Sequence, residues 1–435
     1  MNDRPDQNGP GTDHINSANQ ILIQPKGGLS LLRKVRLALF GSWILVLAAG
    51  CSPTPELPFE QTFYIFGTMV NLSLWMVPKE QAQKAVAVIE ADLQTMHHDW
   101  HAWQPSEVTR LNQAIVRGEP FQASPRLITL IRTSQDAERQ SEGMFNPAMG
   151  RLIGLWGFHQ DIPPTGPPPT RAEVAVLVAQ HPSTFDLIIE GDTIRSRNPS
   201  VELDFGGIAK GYAGDLVITK LGTMDIHNAI FNAGGGLQVI GRHGDRPWRI
   251  GIRHPQGGGI LASVELGPET EGMHTSGNYE RFREYSGKRY QHIIDPRTGM
   301  PVEGIVSATV IHPNGIWSDA STKGMVVGGA RCWSHIAGRM GLTSVLLVDE
   351  EGTAYMTPEM QRRIHFEREP PRIIVKEPEL PGSGNETEEE KCDSSKALVM
   401  RSASLTASYA GSIVAILFDI LRTTNYNFPQ QSYQS

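Results

Sequence analysis

The sequence predicts an α+β fold: mixed, mostly antiparallel sheets with packed helices, flanked by a signal segment and a disordered tail. Three observations lead there. Short apolar segments alternating with polar residues, the period of a half-buried strand, recur along the chain. Some lie at hairpin spacing, such as Leu187-Ile188-Ile189 and Thr193-Ile194-Arg195. The helical segments between them form no βαβ repeat, which argues against a doubly wound parallel sheet.

Composition narrows the function. The chain has 435 residues and a formal charge of -7 with both signs spread along it, so nothing points to nucleic acid as a partner. Its three cysteines, Cys51, Cys332 and Cys392, fit no zinc spacing and predict no disulfide framework. Arg33, Lys34 and Arg36 precede an apolar run from Leu37 to Ala49 and then Gly50-Cys51. That order reads as a secretory signal over residues 1–50, and the run is short for a membrane span. Leu47 to Cys51 resembles a bacterial lipobox, which implies cleavage before Cys51 and a lipid on its thiol; the other reading is an uncleaved anchor helix. Both place the body outside the cytoplasm, tethered to a membrane.

A Pro-rich tether covers 51–62, and the folded domain is expected over 63–375. Phe63 to Leu74 reads as one strand, with Gly67 marking a bulge or a ligand approach. Lys79 to Met96 is an amphipathic helix with Ala82, Val86, Ile89 and Leu93 on one face. His97, His98 and His101 follow; they invite a metal reading, but no further ligand motif stands out. Trp103, in an aromatic stretch, suits stacking on a planar ring. A second helix spans 125–143, followed by the turn Met144-Phe145-Asn146-Pro147, and a short helix spans Arg171 to Ala179.

The chain is organised around Val201 to Asp215, V-E-L-D-F-G-G-I-A-K-G-Y-A-G-D. Val201, Leu203 and Phe205 alternate as a strand, Gly206-Gly207 breaks it, and Ala209 to Leu216 continues as a helix. One reading is a phosphate site of backbone N–H groups with Asp204 before it, Lys210 after it and a cation beside it. The other is a tight strand-to-helix turn with a solvated Lys. Further strands are expected at 229–233, 248–252, 262–266, 305–311 and 344–348, and a helix from Ser318 with Asp319 near its start. From 376 to 435 the composition reads as a disordered tail.

F-G-T-M, W-Q-P-S-E-V-T-R-L-N, G-M-F-N-P-A-M-G-R-L, L-W-G-F, L-D-F-G-G-I-A-K-G-Y-A-G-D, N-A-G-G-G, T-S-G-N-Y-E-R and H-I-I-D-P-R-T-G-M-P occur in this order. Together with the lipobox they resemble the ApbE family of FAD:protein FMN transferases, from about Phe63 to Ile374. The resemblance implies an ApbE-like, T-fold-like domain that uses Mg²⁺ and takes FAD as substrate. It implies transfer of FMN to a Thr hydroxyl of an acceptor flavoprotein, with AMP released. Alternatives are FAD pyrophosphatase activity and a flavin-binding lipoprotein without chemistry. By position it assigns Asp319 and the Gly207 carbonyl to the metal, and Asp204, Lys210, Phe66, Trp103, Met144, Phe145, Asn146, Ser276 and Ile293 to the flavin dinucleotide. His292 is the candidate base, or else a structural imidazole bonded to the Asp295 turn. The chain departs from the family pattern at Asn146, where Asp is frequent, at Gly236, and at Thr322-Lys323. There the metal helix commonly presents Thr; Thr322 offers a hydroxyl, and Lys323 an ammonium suited to a phosphate.

Overall fold

The computed structural model describes residues 58–379 except 163, together with 392. The signal segment, Cys51, most of the tether and, apart from Cys392, the tail beyond 379 lie outside the described residues.

The first element corrects the sequence reading. Phe63 to Leu74 is not one strand but the greater part of a hairpin, β1 (Phe59–Ile65) and β2 (Thr68–Leu74). Phe66 and Gly67 turn it with φ of 56° and 68°, the positive values of a two-residue hairpin loop. Helix α1 (Lys79–Asp99) buries Ala82, Val86, Ile89, Leu93 and Met96 on the face its period assigns to the core. Helix α2 (Glu107–Arg117) starts with a Ser106/Thr109 capping box and ends at left-handed Gly118. Strand β3 (Phe121–Gln122) is followed by α3 (Pro125–Gln140), capped by Ser124 with Pro at its first position. Two short helices follow, α4 (Gly150–Leu155) and α5 (Arg171–Val178). Strands β4 (Leu187–Glu190) and β5 (Thr193–Ser196) make the expected hairpin and join β3 in a small sheet.

Val201 to Phe205 is a second correction. Val201, Leu203 and Phe205 are buried as the alternation predicts, but the segment joins no ladder beyond a single bridge from Glu202 to Met149. Backbone bonds to residues 147–150, Glu202 N to Ala148 O at 3.1 Å and Asp204 N to Pro147 O at 2.9 Å, hold one side, and a side chain holds the other. The Asn112 amide donates to Leu203 O at 3.0 Å and accepts from Leu203 N at 2.8 Å. The helix after it, α6 (Ala209–Thr223), runs longer than expected.

The remaining strands are β6 (Ala229–Ala233), β7 (Gly236–Ile240), β8 (Trp248–Arg253), β9 (Ile260–Leu266), β10 (Glu271–Gly277), β11 (Phe282–Tyr285), β12 (Lys288–Gln291) and β13 (Ile305–His312). Helix α7 (Gly315–Arg339), interrupted at Gly329, leads to β14 (Ser344–Asp349) and β15 (Ala354–Met356). Helix α8 (Pro358–Arg363), β16 (Ile364–Phe366) and β17 (Ile373–Val375) complete the domain. Nine strands form the central sheet in the order β1-β2-β6-β7-β10-β13-β14-β15-β17, antiparallel except for β15 with β17. One core joins this sheet to the helices; a second packs it against β8 and β9 through Trp248, Ile252, Val264 and Leu266. The sheet is therefore covered on both faces.

The cysteines differ from expectation. Cys332 of α7 is paired with Cys392 in a disulfide, a pair hidden in the sequence by a separation of 60 residues. The chain at 376–379 still follows α7, where Glu379 N donates to Ser334 O at 3.0 Å.

Candidate functional site

Two tight turns open the site. The β1–β2 turn and the Gly234-Gly235 turn between β6 and β7 lie at the same end of the sheet, because Val70 pairs with Ala233. Beyond them is a cavity of about 720 Å³, within the range of about 300–1,000 Å³ usual for small-ligand sites. Phe66, Trp103, Met144, Phe145, Asn146, Asp204, Gly207, Lys210, Ser276, His292, Ile293, Asp319 and Lys323 all line it. The predicted site is thus brought together from across the chain, with Thr322 the exception among the described residues.

One wall is aromatic. Phe66 stacks on Trp100 at 6.5 Å between centroids, and Trp100 stacks on Tyr212 of α6 at 5.4 Å. Trp103, 37% exposed, stacks on His159 at 5.4 Å and carries the Arg281 guanidinium 5.8 Å from its ring. Sequence reasoning missed Trp100, Tyr212, His159 and Arg281. Arg281 ends the T-S-G-N-Y-E-R motif and was within reach of the motif reading; His159, which follows L-W-G-F, carried no signal of its own.

The turn after Asp204 is not the open nest of N–H groups that one reading allowed. Gly206 N donates to Asp204 Oδ1 at 2.8 Å, and Ile208 and Ala209 N donate to Phe205 O. The turn instead presents Lys210, whose Nζ donates to Gly206 O at 3.1 Å. Asp204 also accepts from His159 Nε2 at 3.0 Å. Burial would raise its carboxyl, but the His159 bond and charge and the Gly206 N–H hold it below the usual range. Asn146 spends its amide on the protein, donating to Pro182 O and accepting from Ala148 N, both at 2.8 Å. Its contribution is to fix the Met144–Pro147 turn.

Helices α6 and α7 cross closely. A Cβ on Gly211 would overlap the carbonyl oxygen of Gly315 and lie 2.7 Å from Asp319 Cβ. Each helix caps the other. Asp215 of α6 accepts from Gly315 N and Ile316 N, each at 2.8 Å, and Asp319 of α7 accepts from Gly211 N at 2.9 Å. The other Asp319 oxygen is bonded by Lys323 Nζ, which also donates to Asp319 O at 3.0 Å. Burial would raise Asp319, but the ammonium groups of Lys323 and Lys210 hold it at about 2. Thr322 stands behind this pair and off the cavity: its hydroxyl donates to Asp319 O at 2.8 Å and takes the Ser276 hydroxyl at 2.7 Å.

The expected Mg²⁺ set does not fit these residues as they stand. The Asp319 oxygens are engaged by an ammonium and a backbone N–H, Thr322 is turned away, and a charged Lys323 donates rather than ligates.

His292 gives its Nδ1 to Arg281 O at 2.9 Å, not to the Asp295 turn. A carbonyl only accepts, so Nδ1 carries the proton and Nε2 keeps its lone pair. Nε2 has no hydrogen-bond partner among the described residues. Burial, then Lys323, Lys210 and Arg281, push the imidazole down to about 4 against the opposing Arg281 carbonyl. Buried His274, bonded to Ser318 Oγ at 2.6 Å, is likewise pushed down to about 4.

Fold and cavity together define an α+β protein with a ligand site that is aromatic on one wall and charged on the other. The chain belongs to the ApbE family, whose family model matches residues 66–346. It is 45% identical over 324 residues to the FAD:protein FMN transferase of Rhodobacter capsulatus, a match covering 74% of this chain and 61% of that protein. The chain thus spans less than two-thirds of that relative. The FAD:protein FMN transferase of Vibrio cholerae serotype O1 is 30% identical over 295 residues, 66% of this chain and 85% of that one. Among solved structures, the ApbE protein of Thermotoga maritima aligns with a TM-score of 0.64 at 27% identity, covering 72% of this chain and 100% of that chain. The flavin transferase ApbE from Vibrio cholerae aligns at 0.64 and 26% identity, covering 71% and 100%.

Proposed function

We propose that this chain transfers the FMN part of FAD to a threonine hydroxyl of an acceptor flavoprotein and releases AMP. The observation that carries this reading is His292, a neutral imidazole with its Nδ1 proton spent on Arg281 O and its Nε2 unpartnered on the cavity wall. In this reading the hydroxyl oxygen bonds to the FMN-side phosphorus, and the bond from that phosphorus to the bridging oxygen breaks. AMP leaves with the bridging oxygen, and the hydroxyl proton passes to His292 Nε2. Lys210, Lys323 and Arg281 supply positive charge for the phosphoryl oxygens, and Phe66 and Trp103 offer ring surface to the flavin. The Mg²⁺ dependence implied by the resemblance meets the altered donor set around Asp319, so no step is assigned to the ion.

The test is the intact mass of an acceptor fragment bearing a candidate threonine after incubation with FAD and the full chain in detergent. A gain of one FMN unit supports transfer. Cleavage of FAD to FMN and AMP with the acceptor unchanged overturns it in favour of pyrophosphatase activity, and unreacted FAD in favour of a flavin carrier. The lipobox supports a site of action on the extracytoplasmic face of a membrane, held by lipid on Cys51. Cys51→Ser is expected to move the protein from the membrane to the soluble fraction; retention on the membrane would refute the lipid anchor.

A further inference from the structure

We infer that Lys323 takes the place of a divalent cation in this chain, so that the cavity holds its pyrophosphate ligand on fixed protein charge; the ligand's identity rests on the flavin reading above. Lys323 lies one helical turn after Asp319, the spacing at which two side chains of a helix meet. Its ammonium is bonded to one Asp319 carboxylate oxygen and donates to the Asp319 carbonyl at 3.0 Å. The second carboxylate oxygen accepts from Gly211 N at 2.9 Å. The protein therefore already engages both oxygens that a metal would use.

The surroundings are fitted to the lysine. A Cβ on Gly207 would stand 3.5 Å from Lys323 Cε and 3.7 Å from Cδ, ordinary contact distances, so the lysine stem runs alongside the Gly207 backbone. Both residues line the cavity, whereas Thr322, the neutral oxygen donor of this turn, faces Ser276. A divalent ion arriving at Asp319 would have to displace a like-charged group that is attached to the same helix. The ammonium is also a donor of three hydrogens, two of them given to Asp319 and one left for a phosphate oxygen. Lys210 lines the same cavity, so Asp319, Lys210 and Lys323 together carry one net positive charge without an ion.

The test uses the full chain and two independent readouts. Manganese binding is followed by the electron paramagnetic resonance of free Mn²⁺, and FAD binding by flavin fluorescence in EDTA and in Mg²⁺. The wild type is expected to bind no Mn²⁺ that depends on Asp319, and to bind FAD equally in EDTA and Mg²⁺. Lys323→Met is expected to weaken FAD binding in EDTA by about tenfold or more, the loss typical of a hydrogen bond to a charged group. Lys323→Arg is expected to keep EDTA-insensitive binding. Lys323→Thr, which restores a neutral oxygen, is expected to gain an Mn²⁺ site that Lys323→Thr combined with Asp319→Asn abolishes. Wild-type Mn²⁺ binding that Asp319→Asn removes, or wild-type FAD binding that EDTA abolishes, would overturn the inference. A wild type that binds no FAD under either condition would refute the flavin reading instead, and the Mn²⁺ arm would still decide whether Lys323 replaces the metal.

Discussion

The pH profile of the reaction tests the assignment of His292 directly. A general base must be neutral, and this imidazole is pushed down to about 4 by burial and by Lys323, Lys210 and Arg281. At pH 6.5 an ordinary imidazole is about half protonated, whereas a group titrating at about 4 is protonated in roughly one molecule in three hundred. The sign follows: activity is retained as pH falls through the ordinary histidine range and declines only on approach to about 4. The expected kcat/KM is flat from about pH 8 to about pH 5, with an acid limb of about tenfold per pH unit below 4. His292→Gln is expected to lower the rate by about 10²–10⁴-fold and to remove that limb. Lys323→Met removes one of the charges that depress the imidazole, so its limb should move to higher pH. The assay is FAD consumption at fixed acceptor concentration across buffers of matched ionic strength. A wild-type limb centred at the ordinary histidine value, or a His292→Gln variant that keeps the wild-type limb, would refute the reasoning.

Two stability predictions concern the α6–α7 crossing. Asp215→Ala leaves the Gly315 and Ile316 N–H groups without their acceptor, and about 2 kcal/mol of stability is expected to be lost, read as a lowered urea midpoint. Burial raises the Asp215 carboxyl to about 6, so its titration contribution falls as pH rises through that value; Asp215→Asn should narrow the stability difference between acid and neutral buffers. Gly211→Ala drives a methyl into the Gly315 carbonyl and towards Asp319, and is expected to cost about 1–3 kcal/mol and to weaken FAD binding together with stability. A Gly211→Ala variant as stable as the wild type would show that the crossing has slack the geometry does not suggest.

Local signals account for most of what the sequence made legible. Alternation located β8, β9 and β13, short apolar segments located β6 and β14, and apolar period located α1 and α3, because each depends on neighbours within a turn or two. The failures have a common cause in long-range partners. Phe66 turns a hairpin without the Asn or Asp usual in such loops, its position being fixed by the ring stack on Trp100. Val201 to Phe205 has the burial period of a strand, yet its partners are the irregular backbone at 147–150 and the Asn112 amide, 91 residues from Leu203. Cys332 met Cys392 across 60 residues for which spacing gave no hint. The site shows the same division. Motif positions gathered at one cavity, but which groups complete them depended on packing: His159 reaches Asp204 and Arg281 covers Trp103 only in three dimensions. The metal helix is the sharpest instance. Relative to Asp319, Thr322 is about 60° to one side of the helix and Lys323 about 40° to the other, so phase alone admits either as the residue facing the ligand. The hydroxyl of Ser276 on β10 decides it, by pairing with Thr322 at 2.7 Å and leaving the cavity side to the ammonium. The departure at Thr322-Lys323 is thus, in the fold, a complete set of bonds in which the Asp319 carboxylate is paired with the Lys323 ammonium and the Gly211 N–H.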